Sequence, residues 1–90
     1  MEIKRVKKLD FGPRAIAWDP AREIIYVGEY VEGRVHAYHY ADFSSAGESL
    51  GVGENLRSFT YDPRTRNLFA SSKCGLMGVD VSRAFGVGLP

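Results

Sequence analysis

Arg14-Ala15-Ile16-Ala17-Trp18-Asp19-Pro20 is written a second time, 43 residues later, as Arg57-Ser58-Phe59-Thr60-Tyr61-Asp62-Pro63. Without a gap, Ile25-Tyr26-Val27 then falls on Leu68-Phe69-Ala70, and one deletion later Gly33 falls on Gly75. In the first copy Arg14, Ile16 and Trp18 alternate with Ala15 and Ala17, the two-residue period of a strand with one bulky and one tight side. Asp-Pro closes each copy with turn chemistry: Asp accepts backbone hydrogen bonds at the first position and Pro presets the dihedral of the second. That chemistry explains both aspartates without a catalytic role.

Outward from this stretch, short strand patterns follow one another. Glu23 to Tyr30 carries the apolar run Ile24-Ile25-Tyr26-Val27, of the kind buried on both faces. Val31-Glu32-Gly33 closes a hairpin, and Arg34 to Tyr40 returns as the next strand. A Ser- and Gly-rich segment from Ala41 to Glu54 holds a weak outer strand near Leu50 to Val52, and the second copy supplies Leu56 to Asp62, Asn67 to Ser72 and Leu76 to Val81. Upstream, residues 3–11 interleave Lys4, Arg5, Lys7 and Lys8 with apolar positions, as a solvated edge strand does. Gly12-Pro13 ends it.

A period of 40 to 50 residues built from short strands predicts an all-β fold of β-propeller blades, each a four-stranded antiparallel sheet. Lettering blade strands A to D from the inside outward, the order is D-ABCD-ABC. The 90-residue chain is then a single partial propeller unit, with an outer strand at 3–11, a first blade at 12–54, a second blade lacking its outer strand at 55–82 and a tail at 83–90. Two blades do not close a ring. Closure is expected from other copies exchanging the outer strand, three copies giving a six-bladed ring, from further blades of a longer propeller, or from docking on a different protein.

Composition narrows the partner class. Hydrophobic content of 44% with 12% aromatic residues is that of a globular chain and argues against disorder. A net charge of +1 gives no field to recruit nucleic acid or an acidic membrane surface. No stretch is apolar enough to span a bilayer, and Met1 to Lys8 lacks the apolar run of a signal peptide, so a cytoplasmic location is the default expectation. The single cysteine, Cys74, forms no internal disulfide and has no neighbouring base to make it a nucleophile. His36 and His39, three apart on a strand, face opposite ways and do not ligate one metal together. No metal, cofactor or catalytic group is read from the sequence. Trp18, Tyr26, Tyr38, Phe59, Tyr61 and Phe69 are read as packing between blades and not as a stacking platform for bases.

Gly12-Pro13-Arg14-Ala15-Ile16-Ala17-Trp18-Asp19-Pro20, Ile25-Tyr26-Val27-Gly28-Glu29, Val35-His36-Ala37-Tyr38-His39-Tyr40 and Gly47 to Leu50 together resemble the recurring blade of seven-bladed lactonase-like propellers, the group of 6-phosphogluconolactonase-like and YVTN-repeat proteins. The resemblance covers residues 12 to about 50 and, more weakly, 56–81. It implies a ring of about seven blades and, in some members, hydrolysis, with a Gly-Pro-Arg stretch followed by histidine near the ligand face. Here Ala15 stands at that position.

In a propeller the D-to-A and B-to-C loops share the face where ligands bind. For this chain they carry Arg14, Glu29, Tyr30, Glu32, Glu54, Asn55, Arg57, Ser72 and Lys73. Arg14 and Arg57 occupy one repeat position, so a closed ring would carry a circle of guanidinium groups suited to an anion or an acidic loop. Pairing of each arginine with a neighbour such as Glu29 or Glu54 is the simpler expectation. The function expected is that of a non-enzymatic, protein-binding or structural scaffold module acting as an oligomer or as a subunit. The alternative is a portion of a lactonase-like enzyme or small-anion-binding propeller.

Overall fold

The structure, a computed structural model, describes residues 6–81. Seven strands follow in chain order: β1 Pro13–Asp19, β2 Ile24–Glu29, β3 Arg34–His39, β4 Leu50–Gly51, β5 Ser58–Asp62, β6 Asn67–Ser72 and β7 Gly75–Asp80. They form two antiparallel sheets, one ordered β1-β2-β3-β4 and one ordered β5-β6-β7, and neither is closed. The all-β class and the succession of strands from Pro13 onward agree with the expectation. Of the outer strand expected at 3–11, residues 3–5 lie outside the described residues, as does the tail at 83–90, and residues 6–11 belong to none of the seven strands.

Local chemistry sets the strand ends. After β1, Asp19 Oδ1 accepts the backbone N–H of Arg22, and Glu23, at φ 54°, turns the chain into β2. After β5, Asp62 Oδ1 accepts the N–H of Arg64, and Arg66, at φ 59°, does the same for β6. Gly33 closes the β2–β3 hairpin at φ 68°, and a Cβ there would run into the backbone carbonyl of Gly53, so both geometry and space require glycine.

Residues directly opposite across an antiparallel pair share a face, and the registers therefore define the two sides of each sheet. In the first sheet Trp18 lies opposite Ile25, which lies opposite Tyr38, and Ile16 opposite Val27 and then His36; this side is termed the front. Its back carries Ala15, Gly28 and Val35, then Ala17, Tyr26 and Ala37. In the second sheet Phe59, Ala70 and Met77 with Tyr61, Leu68 and Val79 form the front, while Thr60, Phe69 and Gly78 with Ser58, Ser71 and Leu76 form the back.

The core lies between the back of the first sheet and the front of the second, with β1 and β5 side by side. Ile24, Tyr26, Val35 and Ala37 from one side meet Phe59, Leu68 and Ala70 from the other, and Ala46, Val52, Leu56 and Val81 from the connections seal the edges. Leu56 is fully buried, a gain of about 2 kcal/mol from the crossing segment alone. The tight alanine side of β1 faces the core, and the bulky side faces outward: Ile16 is 71% and Trp18 44% exposed. The expected packing of aromatics therefore holds for Tyr26 and Phe59, which are buried, while Trp18 and Phe69 stand open to solvent on the outer faces.

Candidate functional site

The expected loop face is assembled by backbone hydrogen bonds among four loops. Tyr30 donates to Gly12 O (3.1 Å) and accepts from Leu56 N (3.0 Å), Asn55 donates to Val31 O (3.3 Å), and Lys73 donates to Glu54 O (3.2 Å). These bonds join the β2–β3 hairpin, the crossing segment, the β6–β7 hairpin and the entry to β1 at one end of the sheets. Arg14, Tyr30, Glu54, Asn55, Arg57, Ser72 and Lys73 sit there, with Glu32 exposed at the hairpin tip.

Their side chains pair differently from the expectation that each arginine takes a glutamate. Arg14 places its guanidinium 5.1 Å from the centre of the Tyr30 ring, a cation–π contact. Glu29 instead binds His36 Nε2 at 2.9 Å, both half-buried on the first sheet. Glu54 pairs with Lys73 at 3.3 Å in an exposed bridge, and Arg57 is exposed, its backbone N–H donating to Ser71 O at 2.8 Å. Ser72 Oγ accepts the N–H of Cys74, which fixes the hairpin around the exposed thiol. Arg14, Arg57 and Lys73 thus share this end with Glu32 and Glu54, so its charges are mixed in sign.

The most organised polar group lies at the opposite ends of β1 and β2. Asp19, fully buried, accepts from the Tyr26 hydroxyl (3.0 Å) and from Arg22 Nε (3.2 Å). Arg22 Nη2 reaches the Tyr26 hydroxyl at 2.9 Å and Val81 O, at the end of the second sheet, at 2.7 Å. Burial pushes the Asp19 carboxyl upward, but hydrogen bonds from Tyr26, from the Arg22 side chain and backbone, and from Tyr61 outweigh it and hold the carboxyl below its ordinary value. Burial drives the Tyr26 phenol well above its usual range, beyond what the Arg22 cation offsets. This group is a clamp between the sheets. Its signal in the sequence is a departure from the repeat, since Arg22 and Tyr26 align with Thr65 and Phe69. Asp62 accordingly serves its own turn, accepting from Thr65 Oγ1 and from Arg64 N with the Arg64 side chain 3.9 Å away, and these contacts, the Thr65 bond first, hold its part-exposed carboxyl below the ordinary value.

Both sheets also present an open outer face. On the front of the first sheet an open cleft of about 200 Å³ is lined by Lys7, Leu9, Ile16, Ile25, Val27, Tyr38 and Phe43. Residues 6–11 form one wall, with the Phe11 ring stacked 4.1 Å from His36 and Lys7 Nζ 5.3 Å from the centre of Tyr38. On the back of the second sheet Phe69 is 39% and Leu76 81% exposed beside Ser58, Thr60 and Ser71. Among the described residues no group of three His, Cys, Asp or Glu side chains is placed to hold a metal ion, and no helix is long and apolar enough to cross a membrane. No protein-family model matches the chain, and no curated protein matches it.

Proposed function

We propose that the chain is a two-blade propeller unit of the lactonase-like kind and that it works as a protein-binding scaffold module, not as a hydrolase. Several registers support the repeat. Trp18 faces Ile25 as Tyr61 faces Leu68, and Asp19 faces Ile24 as Asp62 faces Asn67, all 43 residues apart. The positive φ at Glu23 and Arg66 recurs at the same interval, and Tyr40 N donates to Glu23 O as Val81 N donates to Arg66 O. Residues 50–54 leave β4 at the rim of the first sheet and cross to the second, and residues 7–11, one period earlier, lie on the front of the first. The family's histidine position is Ala15, half-buried against the core, which is why hydrolysis is not part of the reading.

One observation carries the binding function: the front of the first sheet exposes Ile16 and Trp18 beside an apolar cleft, whereas of the matching residues of the second sheet Phe59 is buried and Tyr61 half-buried against the core. An apolar sheet face of this kind marks an interaction surface. Affinity purification of the chain and of its Ile16→Glu variant from the cells that make it tests the reading. The wild-type chain is expected to carry associated polypeptide, either more of itself or another protein, and the variant to lose it while keeping its β-sheet circular dichroism. Equal recovery with both chains would count against the reading.

A further inference from the structure

The interface between the two sheets is a template for the faces they leave open. Resting on the two-blade reading, each open position has a counterpart inside the core. Ile16 and Trp18 on the open front correspond to Phe59 and Tyr61, and Ser71 and Phe69 on the open back correspond to Gly28 and Tyr26. The substitutions between the covered and the open pairs are concerted.

Inside, Tyr26 and Tyr61 lie with ring centres 5.6 Å apart, and both phenols serve the buried Asp19. At the two open positions the pair is Phe69 and Trp18. The phenol and the arginine that a buried carboxylate needs are gone together, Arg22 having become Thr65, and Asp62 is satisfied by its own turn. What remains are two aromatic rings that need no carboxylate between them. Inside, Gly28 leaves room for Phe59, since a Cβ on Gly28 would collide with Leu56 and approach Phe59 to 2.5 Å. At the open positions the small side grows to Ser71 and the large side shrinks to Ile16. A gain in volume on one face is matched by a loss on the other, as a close-packed contact requires. The wall formed by residues 6–11 does not obstruct the site, because Leu9 stands one period before Val52, which is itself buried between the sheets.

We infer that the back of the second sheet of one copy seats on the front of the first sheet of another copy of this chain, setting Phe69 against Trp18 and Ser71 against Ile16 of the next molecule. The contact is heterologous, head to tail, and repeats until the ring closes.

Two variants at exposed positions separate this arrangement from the others. Ile16→Glu blocks only the front and Leu76→Glu only the back, and at 71% and 81% exposure neither substitution burdens the fold, which circular dichroism checks. By native mass spectrometry the unmodified chain is expected above the single-chain mass. Each variant alone is expected at the single-chain mass, and an equimolar mixture at twice that mass, since one intact front then meets one intact back and growth stops. Trp18 is the sole tryptophan, so its emission should shift to the blue in the unmodified assembly and by about half as much in the mixture, where one of two copies buries it. Assembly of Leu76→Glu alone would mean a front-to-front pairing and overturn the inference, as would a mixture that stays at the single-chain mass. An unmodified chain that is single at every concentration would overturn it too, while leaving the binding reading intact with another protein as occupant.

Discussion

Arg22 Nη2 donates to Val81 O across 2.7 Å of space and 59 residues of sequence, joining the first turn of one sheet to the last strand end of the other. The same guanidinium holds Asp19 through Nε and the Tyr26 hydroxyl through Nη2. A planar fork reaches all three acceptors; a lysine ammonium does not reproduce that geometry. The two sheets are thus tied by one charged side chain whose partner carboxylate is fully buried.

Asp19→Asn should therefore cost about 3 kcal/mol, because it strands the Arg22 charge against a desolvated partner site. That is a large share of the stability of a domain this small. Asp62→Asn, at the matching position, should cost much less, since only its own exposed turn is affected. Urea unfolding of both variants measures the difference, and equal losses would show that the clamp contributes nothing beyond its turn.

The same group sets the pH limits. Asp19 has a folded-state value below that of the unfolded chain, so its contribution is present above the unfolded value of about 4 and is lost as pH falls through the folded one. Tyr26 is shifted the other way by burial. Its protonated form belongs to the fold, so stability is present below the unfolded value of about 10 and declines as pH rises past it. Thermal midpoints should fall at both extremes. Asp19→Asn should flatten the acid limb below about pH 4, and Tyr26→Phe the alkaline limb above about pH 10.

Close approach of the sheets depends on a missing side chain. Gly28→Ala would force Leu56 and Phe59 apart and should cost about 1 to 3 kcal/mol, measured as a lower denaturant midpoint at unchanged slope. Ser71→Ala, at the matching place on the open face, should change the stability of the single chain by less than about 0.5 kcal/mol. A tolerated alanine at 28 would mean that the sheets can separate without loss.

The strands were legible because their signals are local. Alternation in Arg14 to Asp19, the Asp-Pro turns and Gly33 act within a few residues, and the expected strand at Asn67 to Ser72 is β6 to the residue. Which side of β1 faces the core was not legible, because bulk alone favours burying Ile16 and Trp18, whereas the neighbouring sheet already fills the space against Ala15 and Ala17. Asp19 and Asp62 read alike as turn residues. Their difference lies in Arg22 and Tyr26, whose role depends on Tyr61 and on Val81 from the other sheet. The pairing of Glu29 with His36, in place of Arg14, follows from cross-strand register, which spacing along the chain does not supply.

A stacked pair helps to hold the segment before β1 on the sheet, alongside the contact of Lys7 with Tyr38. Phe11 lies 4.1 Å from His36 at an interplanar angle of 13°, and His36 is itself held by Glu29 Oε1 at 2.9 Å, so the ring offers a fixed platform. Beyond that contact, Lys7 and Lys8 are exposed and close to the start of the described chain. An aromatic stack contributes about 1 kcal/mol, which corresponds to a roughly fivefold population ratio. Phe11→Ala should therefore release the segment locally, raising the rate of tryptic cleavage after Lys7 and Lys8 by about fivefold under conditions where cleavage follows the open population. Phe11→Tyr should keep the wild-type rate. If both variants are cut like wild type, the stack does not hold residues 6–11 against the sheet, and the wall of the front cleft has another source of order.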